Sequence, residues 1–184
     1  PCTMMVAAEM PLLTFNELDD CLEGQILFTD TPLEWTSFAV VNTVRGHLRH
    51  ALKVKKIKVG HAGTLDPLAT GVLVVCTGKA TKRIETLQAQ DKSYTATIRL
   101  GAHTPCLDAE LPVDTWADAA HLTPDAIEQA ANGLRGTIEQ MPPRYSAKKV
   151  NGQKAYAVAR KGGEIMLKRA SIEIKKLKIQ AVQH

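Results

Sequence analysis

An α+β fold is expected, on three features of the chain. Helix-like and strand-like patterns are interleaved without the strict β–α alternation of a doubly wound sheet. One run of seven residues, GVLVVCT at 71–77, is continuously apolar and β-branched, as a strand buried on both faces would be. Hydrophobic residues make up 45% of the 184, enough to bury a real core.

The elements follow in order. Residues 25–29 (QILFT) form a short strand, broken by Asp30-Thr31-Pro32. A helix starts at Ser37, capped by Thr36 or Ser37, with Val40, Val44, Leu48 and Leu52 making one i+4 stripe. Its opposite face carries Arg45, Arg49 and Lys53, and the basic run continues through Lys55, Lys56 and Lys58. Residues 60–64 are expected as a loop, 71–77 as the fully buried strand and 81–88 as a helix. Tyr94, Ala96, Ile98 and Leu100 alternate with Thr95, Thr97 and Arg99, the period of a half-buried strand. Residues 101–116 read as loop. Thr123-Pro124-Asp125 starts a helix whose apolar face is Ile127, Ala130, Ala131 and Leu134 and whose end is marked by Gly133 and Gly136. Met141-Pro142-Pro143 must be extended. A short helix spans 154–160, and a strand spans 171–182 with a bulge near Lys176 to reconcile its two phases.

The net charge of +4 conceals a strong asymmetry. Residues 1–44 hold seven acids and no Lys or Arg, so the remainder carries +11. Residues 45–104 have eleven bases against three acids, and 144–184 have eleven against two. Between them, 108–139 has seven acids and one base, Arg135. Two basic blocks around an acidic insertion suggest a polyanion surface built from two parts of the chain, although an ordinary solvated surface has a similar signature. No run approaches the ~20 apolar residues of a membrane-spanning helix. Cys2, Cys21, Cys76 and Cys106 have neither C-x-x-C spacing nor a His placed to complete a zinc site, so reduced thiols are expected, with Cys76 buried.

The segment most suggestive of chemistry is GHAGTLDPLATG, residues 60–71. It sets an acid, Asp66, in a loop that enters the buried strand. Gly60, Gly63 and Gly71 permit close approach or unusual backbone angles, and Pro67 holds Asp66 extended. On spacing alone the reading of Asp66 as a mere turn former is favoured.

That string resembles the catalytic-Asp motif of the TruB-type pseudouridine synthases. Asp91-Lys92-Ser93-Tyr94 resembles the family's D-K-x-Y segment. Residues 142–152 (PPRYSAKKVNG) resemble its P-P-x-x-S-A-x-K-x-x-G segment, and residues 156–160 (YAVAR) match the helix that follows. Three motifs in family order over residues 25–184 are a specific signal.

The resemblance implies the pseudouridine synthase fold, with a mixed, mainly antiparallel central sheet flanked by helices and loops. It implies an acidic N-terminal segment at 1–24 and a catalytic domain at 25–184, with the acidic helical insertion around 105–140. Asp66 and Tyr94 would be catalytic, the carboxylate acting on the ribose and the ring stacking on the flipped uracil. His61, Gly63, Thr64, Lys92, Lys148, Lys149 and Lys154 would contact the RNA. The substrate would be the T-arm of tRNA, at position 55. No cofactor, metal, membrane or obligate protein partner is expected, and the protein would be a cytoplasmic monomer.

The match departs in two places. Residues 30–37 (DTPLEWTS) resemble a D-K-P-x-G-x-T-S segment, but Thr31 stands at the Lys position and Glu34 at the Gly position. The family's later K-G-T-Y-I-R segment, whose Arg pairs with the catalytic Asp, has no counterpart before His184. The chain is therefore expected to be C-terminally truncated, with an exposed sheet edge. Two alternatives to an RNA-modifying isomerase follow: a non-catalytic RNA-binding protein or RNA chaperone, and a guide-RNA-dependent synthase subunit.

Overall fold

The computed structural model describes residues 20–143, 145, 146, 149, 150, 153–159, 163 and 166–182. They fall into two compact units that divide between Thr95 and Ala96. Helices are mixed with small antiparallel sheets in an α+β arrangement.

The first unit is built on a three-stranded antiparallel sheet in the order β1-β3-β2. Here β1 is Ile26–Thr31, β2 is Val59–His61 and β3 is Gly71–Thr77. Helix α1 (Ser37–Ala51) packs against it. Thr36, not Ser37, is the cap: its hydroxyl accepts the Ala39 N–H at 3.1 Å. The expected stripe is the buried face, since Val40, Val41, Val44 and Leu48 join Cys21, Val59, Leu73 and Val75 in one core cluster, with Leu52 partly buried against it. Each fully buried Val or Leu contributes about 1.5–3 kcal/mol, so this seam is the main source of the unit's stability.

The helix ends in a Schellman turn. The Lys53 N–H donates to the His50 carbonyl and the Val54 N–H to the Arg49 carbonyl, with Lys53 itself left-handed at φ 53°. After β3 comes a 3-10 turn at Gly78–Arg83, then helix α2 (Ile84–Gln88). The expected helix at 81–88 thus begins as 3-10.

Strand β3 departs from the fully buried expectation. Leu73, Val75 and Thr77 face the core, whereas Val72 is 66% exposed. The outer face closes only towards the end, where Cys76 is buried beside Gly60 and the Ile84 side chain occupies the space a Gly60 Cβ would fill. Burial raises the Cys76 thiol's pKa, and Arg83 offsets part of that rise. Gly60 and His61 are not loop, as expected, but strand, paired with Cys76 and Val75. Three residues with a Gly and a His carry no strand pattern of their own; β3 imposes the conformation.

The period-two segment from Tyr94 to Leu100 forms no strand. Tyr94 is 72% and Ile98 78% exposed. Alternation specifies a face, but a strand also needs a hydrogen-bonded neighbour, and none among the described residues supplies one.

The second unit pairs β4 (Ala102–His103) with β5 (Thr115–Trp116), inside the stretch expected as loop. His103 Nδ1 and Asp114 Oδ1 are hydrogen-bonded at 2.8 Å on the surface, and this bond lowers the Asp114 pKa. Helix α3 (Pro124–Asn132) starts where Thr123-Pro124-Asp125 places it, with the Thr123 hydroxyl accepting from Ala126 N–H and Gly133 as C-cap. Its expected apolar face is only partly covered, with Ala131 buried and Leu134 exposed.

Strand β6 (Gly136–Gln140) pairs with β9 (Ala170–Ile174). The expected strand over 171–182 stops at Ile174 and no bulge forms, because Gly136, its partner there, is the first residue of β6. Beyond that point the Arg135 guanidinium takes over, donating to the Leu177 carbonyl at 2.7 and 3.1 Å and to Glu128 at 2.6 Å. The lone base of the acidic stretch thus ties α3 to the chain after β9. Strands β7 (Lys149–Val150) and β8 (Gln153–Lys154) pair, and α4 (Ala155–Ala159) follows; Arg160 of the expected helix lies outside the described residues.

Leu48→Ala should lower the stability of the first unit by about 2–5 kcal/mol, read by denaturant unfolding. Ile98→Ala, at an exposed position of the second unit, should change that unit's stability by less than about 0.5 kcal/mol.

Candidate active site

Three segments meet at one end of the three-stranded sheet. Thr31, the last residue of β1, pairs with Gly71, the first residue of β3. The loop between β2 and β3 leaves the sheet at that end, and α1 begins there after the turn at residues 32–35. Asp66 sits in this loop and is solvent-exposed.

The sequence around Asp66 makes a β-turn. The Ala69 N–H donates to the Asp66 carbonyl at 2.9 Å, with Pro67 as the second residue of the turn, where its fixed φ is favoured. The turn-former reading of Asp66 is therefore correct as local structure, and it is compatible with a chemical role.

Two contacts from the 30–37 segment hold this turn. The buried Ser37 hydroxyl accepts the Leu65 N–H at 2.9 Å and donates to the Leu65 carbonyl at 3.2 Å. The Glu34 N–H donates to the Pro67 carbonyl at 2.7 Å. The residues on either side of Asp66 are thus each tied to the segment that enters α1. Leu65 is also packed against the core, so the tether continues into the hydrophobic cluster. Ser37 is the positioning residue that sequence patterns missed: it reads as a cap, and only the fold reveals the partner 28 residues away.

Glu34 explains its own departure from the family pattern. It is left-handed, φ 67°, at the third position of a turn closed by Trp35 N–H to the Pro32 carbonyl at 3.3 Å. That position favours Gly. A non-Gly residue there costs roughly 1–2 kcal/mol, comparable to the net worth of one or two hydrogen bonds, so the Pro67 contact can hold the strain. Thr31 is fully buried, and its Oγ1 has no hydrogen-bond partner among the described residues.

The other sequence-identified residues divide. His61 lies on β2 and its Nδ1 is hydrogen-bonded to the Gly63 carbonyl. A carbonyl only accepts, so Nδ1 carries the proton, and Nε2 of a neutral ring keeps its lone pair. Gly63 (φ 111°) and Gly71 (φ 128°) bracket the loop in conformations that L side chains rarely adopt. Thr64 is exposed in the same loop. Lys92 is occupied locally, donating to the Gln88 and Gln90 carbonyls at the end of α2 at 2.5 and 3.0 Å. Tyr94 is exposed on an unpaired segment rather than on a strand. Lys149 and Lys154 are backbone partners in the β7–β8 register, and Lys148 lies outside the described residues. The loop therefore brings His61, Gly63, Thr64 and Asp66 together; the lysines at 149 and 154 belong to the other unit.

The family model for the TruB family pseudouridylate synthase (N terminal domain) matches residues 49–184, which include the whole GHAGTLDPLATG loop. A tRNA pseudouridine synthase B of Phocaeicola vulgatus is 53% identical over 157 residues, covering 85% of this chain and 67% of the relative. Its namesake in Parabacteroides distasonis is 51% identical over 160 residues, covering 87% and 68%. That of Flavobacterium johnsoniae is 42% identical over 165 residues, covering 89% and 72%. Against the Bacteroides relatives the chain spans 63–65% of their length.

Glu34→Gly should raise stability by about 0.5–1 kcal/mol in thermal unfolding, the relief of strain less the entropy of the added glycine. Thr31→Val removes a buried hydroxyl at nearly constant volume and should leave stability equal or higher; a loss above about 1 kcal/mol would mean the hydroxyl is bonded.

Proposed function

We propose, since this chain belongs to the TruB family of pseudouridylate synthases, that it carries the catalytic loop of an enzyme converting a uridine of tRNA to pseudouridine, at position 55 of the T loop. The observation that supports this most is the GHAGTLDPLATG loop, with Asp66 exposed between two tethered residues. The names of the relatives, each a tRNA pseudouridine synthase B, supply the substrate class.

The reaction breaks the bond between ribose C1′ and uracil N1, turns the base and forms a bond from C1′ to C5. The C5 proton leaves and N1 gains one, so no electrons are exchanged with a second reactant. An ionised carboxylate suits this chemistry: it attacks or deprotonates the ribose and stabilises the positive charge that develops there. In this reading Asp66 is that carboxylate. Tyr94 stacks on the uracil and assists removal of the C5 proton. A target inside a folded RNA loop must leave its stack to reach Asp66. His61, Gly63 and Thr64 line the place it enters, while Lys92, Lys148, Lys149 and Lys154 add phosphate contacts whose effect is collective.

The reading extends to a cytoplasmic monomer that needs neither guide RNA nor cofactor. The mixed, mainly antiparallel central sheet expected of the family belongs to the same proposal.

Release of tritium from C5-labelled uridine in a tRNA transcript measures turnover by the full-length protein. Asp66→Asn should lower it by at least about a thousandfold with tRNA binding retained. Undiminished release by Asp66→Asn, or release only after guide RNA is added, would reject the assignment.

A further inference from the structure

Among the described residues, Glu34, Lys53 and Leu107 are the left-handed ones that are not glycine. Glu34 is the only acid of the three, and it is tied to the Asp66 loop. Its N–H donates to the carbonyl of Pro67, the residue that follows Asp66, at 2.7 Å. Strain held beside a reactive group points to a function for the residue that bears it.

The fold gives the Glu34 side chain nothing to do. Its carboxylate is exposed, with no ion pair or hydrogen bond of its own among the described residues. The segments that meet here supply no cation. No Lys or Arg occurs in residues 1–44, which include β1 and the start of α1, or in residues 59–78, which include the Asp66 loop and β3. The positive end of α1 lies just beyond, after the Thr36 cap. At an exposed position its pull on an acid is weaker than the cost of a left-handed backbone. Glycine would make the same contact to Pro67 without strain, so that contact does not account for a carboxylate. What the side chain adds is a charged group that only accepts hydrogen bonds, carried next to Asp66.

Its neighbours suit a nucleobase. Leu33 and Trp35 flank Glu34, Leu68 follows Pro67, and all three are exposed. An exposed aromatic beside a hydrogen-bonding group is the pair that reads an unstacked base, one by stacking and the other at the Watson–Crick edge. A phosphate is the wrong partner, because a carboxylate repels it.

We propose that Glu34 is a specificity-determining residue, accepting a hydrogen bond from the exocyclic amine of the nucleotide beside the target uridine. The inference rests on the tRNA-modifying function proposed above, in which Asp66 acts on the ribose of the target. An acid tied to the residue after Asp66 then meets the neighbouring nucleotide. Cytosine offers its N4 amine as a donor, whereas uracil sets the O4 carbonyl at the same place, where a carboxylate repels it. The turn and the Pro67 contact hold the backbone that carries this acceptor before any RNA arrives.

The test uses the full-length protein and tRNA transcripts labelled with tritium at C5 of the target uridine alone. Each nucleotide flanking the target is set in turn to cytidine or uridine, and kcat/KM is read from tritium release. At one flanking position the wild-type protein should favour cytidine by about fivefold to a hundredfold. Glu34→Gly should bring that ratio to within about twofold of unity, and Glu34→Gln, whose amide also donates, should accept uridine nearly as well as cytidine. The ratio compares two substrates on one enzyme, so a change in folded fraction or in the placing of Asp66 cancels from it. A wild-type ratio near unity at both positions would overturn the proposal, as would a Glu34→Gly variant that keeps the wild-type ratio. Absence of release from every transcript would overturn the proposed function and this inference together, whereas release without preference overturns the inference alone.

Discussion

One hydroxyl group fixes the geometry of the Asp66 loop in the first unit. Ser37 Oγ, buried at the start of α1, accepts the Leu65 N–H and donates to the Leu65 carbonyl, joining segments 28 residues apart. Leu65 precedes Asp66, so the position of the carboxylate-bearing residue is set by the position of a helix. That helix is in turn fixed by Val40, Val41, Val44 and Leu48 against the sheet. The chain of cause runs from an apolar stripe to a helix, from the helix to a buried hydroxyl, and from the hydroxyl to an exposed loop. Two hydrogen bonds of about 1 kcal/mol each are small beside the hydrophobic seam. They act on orientation, which the non-directional seam cannot supply.

The second tether comes from a strained residue. Glu34 adopts a glycine conformation and donates to Pro67, on the other side of Asp66. Thr31, two residues before Leu33 on the same approach, is buried, and its hydroxyl has no hydrogen-bond partner among the described residues. Both are the positions where this chain departs from the family pattern, and the turn keeps its form in spite of them. The packed helix and the tethered loop carry these local costs, as functional loops on rigid scaffolds commonly do.

Much of this was legible in the sequence, for reasons that differ by element. Helix α1 could be read because its stripe has the helical period and its cap is chemically explicit. Helix α3 could be read because Thr, Pro and Asp each favour the start of a helix. The site loop was legible as a family string, but its geometry was not: the contacts of Ser37 and Glu34 are long-range, and no local pattern encodes them. Strand β2 escaped notice because pairing with β3, not its own composition, makes it a strand. The opposite error occurred at residues 94–100, where a correct alternation has no partner strand among the described residues, and at residues 175–182, where β6 runs out of residues to pair. Local pattern therefore identified what carries its own signal, and failed wherever a neighbour decides.

The tether on Leu65 is open to direct measurement by native-state hydrogen exchange. In Ser37→Ala the Leu65 N–H loses its acceptor while the core contacts of α1 remain. Its exchange should speed up by about tenfold or more, the equivalent of one net hydrogen bond, with the amides of Val44 and Val75 unchanged. A Leu65 amide that exchanges at the wild-type rate in that variant would contradict the claim that Ser37 holds the Asp66 loop in place.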